Sequence, residues 1–217
     1  MPIRILIVDD HSMIRQGLQM YFEDDSEVEI VGEARNGEEA LRLAEDLGPQ
    51  VVLMDLLMPV VDGCAATKAL RRMLPHTHII AMTSVVEEVG VHRAIAAGAI
   101  SYVLKDTRPD ELRDAILAAA QGRVRFPPES AGRLMQDVPT PDVDPQTLPE
   151  DVRQALQLLA AGRSTAEISR ELGCGQGEVD ERIDAAMSCL NIAGRAQAVL
   201  YATRQGLVPA DLRPYLV

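Results

Sequence analysis

Aromatic residues and cysteines are scarce in this chain. Its 217 residues include no tryptophan, two phenylalanines and three cysteines. With so few aromatic side chains, any buried core must be packed mainly by aliphatic residues. Cys64, Cys174 and Cys189 are odd in number and lack the spacing of a metal site, so they indicate neither a disulfide framework nor a structural zinc. We expect incidental thiols in a reducing cytoplasm.

Long uncharged apolar runs are missing as well. The sequence has no stretch of about 18 such residues, the length that a membrane-spanning helix needs. The amino terminus leads directly into a short apolar run, so we expect no signal peptide ahead of it. A chain of 217 residues exceeds the usual size of one small domain, and two domains are the natural expectation.

Short apolar runs recur in the first half of the chain, and acidic residues follow two of them. Residues 3–8 precede Asp9 and Asp10, and residues 51–54 precede Asp55. Such β-branched runs predict buried parallel strands. The carboxyl ends of parallel strands form the ligand crevice of an open α/β sheet, so the three carboxylates should converge there. Because these like charges repel, the cluster predicts a bound divalent cation, for which Mg²⁺ is suited.

Two further apolar runs bring a hydroxyl and an ammonium to the same edge of the predicted sheet. Residues 78–82 precede Thr83, and residues 100–104 precede Lys105. Together with the acids, this set fits the transfer of a phosphoryl group to an aspartate. The carboxylate is the nucleophile, the metal bridges it to the phosphoryl oxygens, and the hydroxyl and ammonium neutralise charge. We predict Asp55 as the acceptor because it stands alone on the central strand.

These residues form a pattern that resembles a known family. The motifs are Asp9-Asp10, Asp55-x-x-Met58-Pro59-x-x-Asp62-Gly63, Thr83 and Tyr102-x-x-Lys105. In order and spacing, residues 2–121 resemble the receiver domain of a two-component response regulator, and within that class the NarL/FixJ family. The resemblance implies a doubly wound α/β fold with a five-stranded parallel sheet and five surrounding helices. It also implies that a partner histidine kinase phosphorylates the acceptor.

The resemblance assigns a role to each residue of the pocket. It implies that Asp10 and Asp55 bind the metal directly, with Asp9 nearby and the Leu57 carbonyl as a further ligand. It implies that Thr83, Tyr102 and Lys105 bind the phosphoryl group or form the switch that moves on phosphorylation. Taken singly, an aspartate after a strand is usually a turn residue or a helix cap, so the prediction rests on the whole set.

An aspartyl phosphatase is the alternative among enzymes. Phosphatases of the dehalogenase type need a second aspartate two residues after the nucleophile, where it serves as acid and base. Here Leu57 occupies that position. We therefore predict a protein that is not an enzyme.

A proline-rich segment separates two predicted domains. Six of the 13 prolines lie between residues 122 and 149, with acids among them. This composition buries little apolar surface, so we predict a semi-extended linker over residues 122–147, with one helical turn at Leu134-Met135. The receiver domain would then cover residues 1–121 and an effector domain residues 148–217.

The effector domain reads as four short helices, over 150–161, 166–172, 177–190 and 195–205. Ser164 is the predicted cap of the second helix. Residues 158–173 and 195–202 resemble the LuxR-type helix-turn-helix, which implies a small all-α domain. The resemblance also implies that the last helix mediates dimerisation. The residues concerned are Gln197, Val199, Leu200 and Tyr201.

The third helix departs from the LuxR pattern in its charge. Family members place cations on this helix, which lies in the major groove. Here Val179 keeps the usual residue type and Arg182 is the one cation, so these two are the predicted DNA-facing residues. Four acids surround them: Glu178, Asp180, Glu181 and Asp184. The predicted effector domain has seven arginines, no lysine and nine acids. DNA affinity depends chiefly on cations that displace counterions from phosphates, so this helix argues against ordinary DNA binding.

Two hypotheses of function follow from these observations. In the first, phosphorylation of Asp55 pairs two receivers, and a homodimer brings two helix-turn-helix units to DNA. In the second, the same phosphorylation switch controls an effector domain that binds another protein. The first predicts DNA affinity that rises on phosphorylation and falls with salt, and the second predicts no retention on DNA.

Overall fold

The computed structural model describes residues 1–84, 88–126 and 128–208, and within these ranges the receiver fold is the predicted one. A single sheet of five parallel strands has the order β2-β1-β3-β4-β5. The strands are β1 (Ile3–Val8), β2 (Val28–Ala34), β3 (Val51–Asp55), β4 (His78–Thr83) and β5 (Ser101–Leu104). Every residue of β3 is buried, as expected for the central strand of a sheet covered on both faces.

Five helices cover the two faces of this sheet. They are α1 (Ser12–Phe22), α2 (Gly37–Leu47), α3 (Gly63–Met73), α4 (Glu88–Ala97) and α5 (Pro109–Ala120). Side chains of β1 alternate between two apolar clusters: Leu6 and Val8 join residues of α2 and α3, whereas Ile5 and Ile7 join residues of α1 and α5. The strand period of two residues therefore builds one core on each face, packed largely by aliphatic residues.

Local capping explains where several helices begin. Asn36 accepts a hydrogen bond from the Glu39 amide at 2.9 Å, and Asp62 accepts one from the Ala65 amide at 2.7 Å. Both residues lie in turns that lead from a strand into a helix. In contrast, Ser12 is the first residue of α1, and the extended residue before it, His11, occupies the cap position without a side-chain hydrogen bond.

The segment predicted to be a semi-extended linker contains a full helix, α6 (Pro128–Asp137), followed by a single 3₁₀ turn at Pro145–Thr147. The helix is therefore longer than the single turn that was predicted. Its composition alone does not support a core, but Leu134 and Val138 are 1% and 0% exposed because they belong to an apolar cluster that contains residues of both predicted domains. The domain limits at 121 and 147 stay a prediction.

The effector domain contains the four predicted helices within its described residues. They are α7 (Glu150–Ala160), α8 (Thr165–Leu172), α9 (Gln176–Leu190) and α10 (Arg195–Arg204). Ser164 caps α8 as predicted, and Glu167 completes a capping box by accepting from the Ser164 amide at 2.8 Å. Residues 209–217 of the predicted domain lie outside the described residues.

The effector domain packs on the edge of the sheet opposite the carboxyl ends of the strands. The Thr165 amide donates to the Gln121 carbonyl at 3.1 Å, and Arg195 Nη1 donates to the Gly122 carbonyl at 3.3 Å. Arg123 pairs with Glu167 at 2.9 Å. Among the described residues, no helix combines the length and apolar character needed to cross a membrane.

Candidate functional site

Three of the predicted acids meet at the carboxyl edge of the sheet. Asp9 follows β1 and Asp55 ends β3, and the two strands are paired neighbours with Val8 opposite Met54. Asp9 is 0% exposed and Asp55 is 2% exposed. Asp10 lies at the rim of the same pocket, with about a third of its side chain accessible. Strand pairing alone therefore brings carboxylates from distant parts of the chain together.

Lys105 bridges the two buried acids. Its Nζ lies 2.7 Å from Asp9 Oδ2 and 2.8 Å from Asp55 Oδ2. The Lys105 amide donates to the Thr83 carbonyl at 2.8 Å, which fixes the residue at the end of β5. Burial acts to lower the pKa of Lys105, but its hydrogen bonds with Asp55 and Asp9 outweigh that effect and the pKa is raised. The ammonium is thus charged at neutral pH.

The electrostatic balance at Asp55 is different. Burial raises the pKa of this carboxyl, and the charge of Asp9 adds to the increase. Hydrogen bonds from Lys105 and from the Leu57 amide, which lies 3.2 Å from Oδ1, act in the opposite direction without reversing it. The ionised form of Asp55 is therefore less favourable here than in water.

This raised pKa predicts how stability depends on pH. The folded state binds the Asp55 proton more tightly than the unfolded state does, so protonation of Asp55 stabilises the fold. This stabilisation is complete below the unfolded pKa of 3.8 and is lost as pH rises through the folded pKa. We expect Asp55→Asn to raise the melting temperature at pH 7 and to lose that advantage near pH 4. For a chain of this size, each kcal/mol corresponds to about 2–4 °C. Calorimetry of both proteins at the two pH values measures the difference, and equal melting temperatures at pH 7 would contradict it.

The pocket has the donor set of a hard cation. Side-chain donor atoms of Asp9, Asp10, His11 and Asp55 all lie within 4.8 Å of one another. Three carboxylates against one ammonium leave a local charge of minus two, which one divalent cation neutralises. Receiver domains typically bind Mg²⁺ at an acidic pocket of this kind, and oxygen ligands are those that Mg²⁺ prefers. The residues present therefore fit the ion. The Leu57 carbonyl stays a predicted ligand.

Thr83 and Tyr102 lie on the adjacent strands β4 and β5. Thr83 is 5% exposed and Tyr102 is 3% exposed. In the strand register Thr83 pairs with Leu104, and Tyr102 pairs with Ala81, two residues before Thr83. The fold brings both residues to the half of the sheet that carries Lys105. Their role as a switch stays a prediction.

Two contacts at the pocket, one made by Arg15 and one by Gly63, were not predicted from the sequence. Arg15 donates from Nη1 to the Asp9 carbonyl at 2.7 Å and pairs through Nε with Glu33 at 3.0 Å, so it ties α1 to the ends of β1 and β2. Gly63 begins α3, and a Cβ at this position would lie 2.0 Å from the Asp55 carbonyl oxygen. In the sequence, Gly63 stood out only as part of the motif that ends at Asp62-Gly63, and nothing indicated this close approach.

The chain matches the models of two protein families. Residues 5–117 match the response regulator receiver domain, and residues 150–202 match the bacterial regulatory proteins of the luxR family. This chain belongs to the response regulators with a LuxR-type output domain. The predicted family and fold class are thereby confirmed.

Relatives of this response regulator align with it over nearly the whole length of both chains. It is 37% identical over 209 residues to the transcriptional regulatory protein LiaR of Bacillus subtilis, covering 95% of this chain and 99% of LiaR. It is 35% identical over 208 residues to the response regulator protein VraR of Staphylococcus aureus, covering 96% and 100%. The crystal structure of the response regulator ChrA from a heme-sensing two-component system aligns with a TM-score of 0.53 at 30% identity, covering 95% and 99%.

These comparisons bear on the two hypotheses of function. Proteins of this family are transcription regulators rather than enzymes, and they work with a sensor histidine kinase and with DNA, commonly as dimers. A transcription-regulating output is therefore favoured over the protein-binding alternative.

The structure of the response regulator corrects one predicted DNA-facing residue. Val179 is 0% exposed and belongs to the core of the effector domain, because α9 turns this side chain toward α7 and α8. Its side chain therefore does not face solvent. Arg182 is partly exposed, but its guanidinium pairs with Glu178 at 2.6 Å and with Asp151 at 3.6 Å. A phosphate would have to compete with both acids.

Two acids of α9 face the receiver domain rather than open solvent. Asp180 pairs with Arg195, whose guanidinium also reaches the Gly122 carbonyl. Burial raises the pKa of Asp184, although Arg195 and Arg71 act in the opposite direction. Both acids line a cavity of about 280 Å³ together with His76 of the receiver. Half of the unusual negative charge on this helix therefore lies at a contact within the molecule.

The predicted dimerisation helix is buried in this structure. Every residue of α10 from 195 to 202 is buried. The four predicted residues have exposures of 7% for Gln197, 1% for Val199, 2% for Leu200 and 0% for Tyr201. Helix α10 contacts α7, α9, α4 and α6. Dimerisation through this helix, which stays a prediction, requires that some of these contacts be broken.

Proposed function

We propose that this response regulator is phosphorylated on Asp55 by a sensor histidine kinase, with Mg²⁺ in the acidic pocket. The observation that carries the proposal is the buried arrangement of Asp9, Asp55 and Lys105, with Nζ within 2.8 Å of both carboxylates. A buried carboxylate beside a cation at the carboxyl edge of a parallel sheet is a suitable nucleophile for a phosphoryl group.

The residues of the pocket have distinct tasks in this proposal. Asp55 forms the bond to phosphorus, and the phosphodonor's leaving group departs with the bonding electrons. Lys105 exchanges its ion pair with Asp55 for one with a phosphoryl oxygen. The Thr83 hydroxyl donates a hydrogen bond to a second phosphoryl oxygen. Asp9, Asp10, Asp55 and the Leu57 carbonyl would hold Mg²⁺, and the bound ion would neutralise charge on the transferred group.

The output of the switch is transcription regulation by a dimer on DNA. LiaR is a transcriptional regulatory protein that aligns with this chain over 99% of its own length, and residues 150–202 here match the luxR family. Helix α1 carries Met13 and Met20, each 77% exposed, which gives the receiver an apolar surface suited to pairing. Because α9 carries more acids than cations, the remaining arginines of two subunits must together supply the phosphate contacts.

A titration with labelled DNA tests this output. Anisotropy of mixed genomic fragments is measured with increasing protein, with and without beryllofluoride and Mg²⁺, at several salt concentrations. We expect affinity that rises with beryllofluoride and falls with salt by a slope of about 0.9 per phosphate contact. The exposed effector residue Arg170 offers a probe, since Arg170→Ala should reduce that slope if it contacts phosphate. No binding at low salt, with beryllofluoride present, would support the protein-binding hypothesis instead.

A further inference from the structure

The loop between β3 and α3 is fixed at both of its ends. The Leu56 amide donates to the Met82 carbonyl of β4 at 3.1 Å, and the Gly63 amide donates to the Leu56 carbonyl at 3.2 Å. The second hydrogen bond closes residues 57–62 into a ring beside the acceptor Asp55. The ends of the loop therefore have little freedom to move.

Two apolar side chains also hold the loop against the body of the receiver. Met58 is 9% exposed and belongs to the apolar cluster formed with α2 and α3, and Val61 packs against the same cluster. A Cβ added at Gly37, the first residue of α2, would lie 2.8 Å from both the Cγ1 and the carbonyl oxygen of Val61. Between these two anchors, Pro59 and Val60 have to reverse the chain.

Val60 makes this reversal with a strained backbone. Its φ is 71°, and the Val61 amide donates to the Pro59 carbonyl at 2.9 Å. This is a γ-turn with positive φ, the rarer and more strained of the two γ-turns, and a β-branched residue is an outlier there. Among the described residues, Asn191 is the other non-glycine residue with positive φ. It ends α9, where asparagine is well tolerated.

Packing of the Val60 side chain does not compensate for this strain. The residue is 80% exposed, so little of it contacts the rest of the protein. A strained backbone persists where the surrounding structure imposes it, and such residues cluster at functional sites. Here the closed ends of the loop and the anchors Met58 and Val61 impose the turn. A change of φ at Val60 would break few contacts, so this is where the loop can change conformation most easily.

The loop also occupies the acceptor carboxylate. The Leu57 amide donates to Asp55 Oδ1 at 3.2 Å, and Lys105 Nζ donates to Oδ2 at 2.8 Å. Both oxygens of Asp55 are therefore hydrogen-bonded to donors of the protein. A cation that binds Asp55 competes with these donors, and the strained conformation of the loop is one of the competitors.

We propose that Val60 is a positioning residue for the cation site. Its strained turn raises the free energy of the conformation in which the Leu57 amide occupies Asp55 Oδ1, and so favours a divalent cation in the competition for that oxygen. A ligand shifts a conformational equilibrium only through its different affinities for the two states, so strain confined to one state changes the affinity for the ion. The inference rests on the proposed function, because it requires that the acceptor pocket take up Mg²⁺.

Three substitutions at position 60 separate strain from flexibility. Asparagine tolerates positive φ, so Val60→Asn should raise the melting temperature in EDTA by about 3 °C and weaken Mg²⁺ binding by about fivefold or more. Val60→Gly should weaken Mg²⁺ binding similarly, with a smaller gain in melting temperature because glycine gives the unfolded chain more freedom. Val60→Ile keeps the β-branched side chain and is the matched control, with wild-type values for both.

Calorimetry of the full chain in EDTA and at a series of Mg²⁺ concentrations measures both quantities, since the rise in melting temperature with Mg²⁺ reports the affinity. We expect Val60→Asn to be more stable than the wild type in EDTA and to gain less from Mg²⁺. An equal gain from Mg²⁺ in the two proteins would overturn the proposal, because the strain would then be the same in both states. Weaker binding in Val60→Gly alone would overturn it as well, because flexibility would be the cause.

Failure of this inference and failure of the proposed function give different results. A wild-type protein that Mg²⁺ does not stabilise would overturn both the role of Val60 and the metal site of the proposed function. A wild-type protein that gains as much from Mg²⁺ as Val60→Asn does would leave the metal site in place, and the role of Val60 alone would fail.

Discussion

Lys105→Met is expected to destabilise the receiver domain by about 3–5 kcal/mol at neutral pH, the range found when one partner of a buried ion pair is removed. Lys105 is the cation within 2.8 Å of both Asp9 and Asp55, and without it two buried carboxylates repel each other. The pKa of Asp55 is already raised by burial and would rise further. The loss should therefore shrink as pH falls and Asp55 takes up a proton. Urea unfolding of Lys105→Met and the wild type measures this loss of stability at pH 7 and at pH 5.

Magnesium should partly reverse this loss. A divalent cation in the pocket neutralises the same carboxylates, so millimolar Mg²⁺ is expected to stabilise Lys105→Met more than it stabilises the wild type. Lys68→Met, at an exposed lysine on α3, is the matched control and should change stability by less than about 0.5 kcal/mol. Equal stability of the two methionine variants would contradict the electrostatic role assigned to Lys105.

Gly63→Ala should have a comparably large effect. The added Cβ would lie 2.0 Å from the Asp55 carbonyl oxygen and 2.8 Å from Leu56 Cα, both of them backbone atoms at the pocket. Because backbone cannot rotate away as a side chain can, α3 or the loop after β3 must move. We expect a loss of about 3 kcal/mol or more in unfolding free energy, together with impaired phosphorylation.

The control for this substitution lies on the same helix. Ala65 is exposed in the first turn of α3, and Ala65→Ser adds a side-chain atom without such a clash. Its unfolding free energy should lie within about 0.5 kcal/mol of the wild-type value. A well-folded Gly63→Ala protein with normal phosphorylation would show that the close approach of α3 to Asp55 is not required.

Local signals in the sequence were sufficient for most of the fold. Apolar runs ending in Asp9, Asp55 and Lys105 predicted the strands, and the structure places their ends within one or two residues of the expected positions. Ser164 predicted the start of α8 because a capping hydroxyl acts within one helical turn. The convergence of the pocket followed from a general property of parallel sheets rather than from the resemblance alone.

The features that escaped prediction depend on contacts between distant segments. Composition predicted little structure around Leu134, because its partner Arg204 on α10 is 70 residues further along the chain. The DNA-facing role predicted for Val179 was wrong because residue type alone does not show which face of a helix packs inward. The acids of α9 were interpreted as an obstacle to DNA binding. In the structure, however, Asp180 pairs with Arg195 at the contact between the domains.

Phosphorylation itself gives the most direct measurement. Full-length protein is incubated with radiolabelled acetyl phosphate and Mg²⁺, alongside Asp55→Asn and Asp62→Asn. Asp62 is an exposed acid in the loop after β3, and asparagine caps a helix as well as aspartate does, so its replacement leaves α3 intact. The account predicts acid-stable, base-labile label on the wild type and on Asp62→Asn, and none on Asp55→Asn. Undiminished label on Asp55→Asn would contradict it.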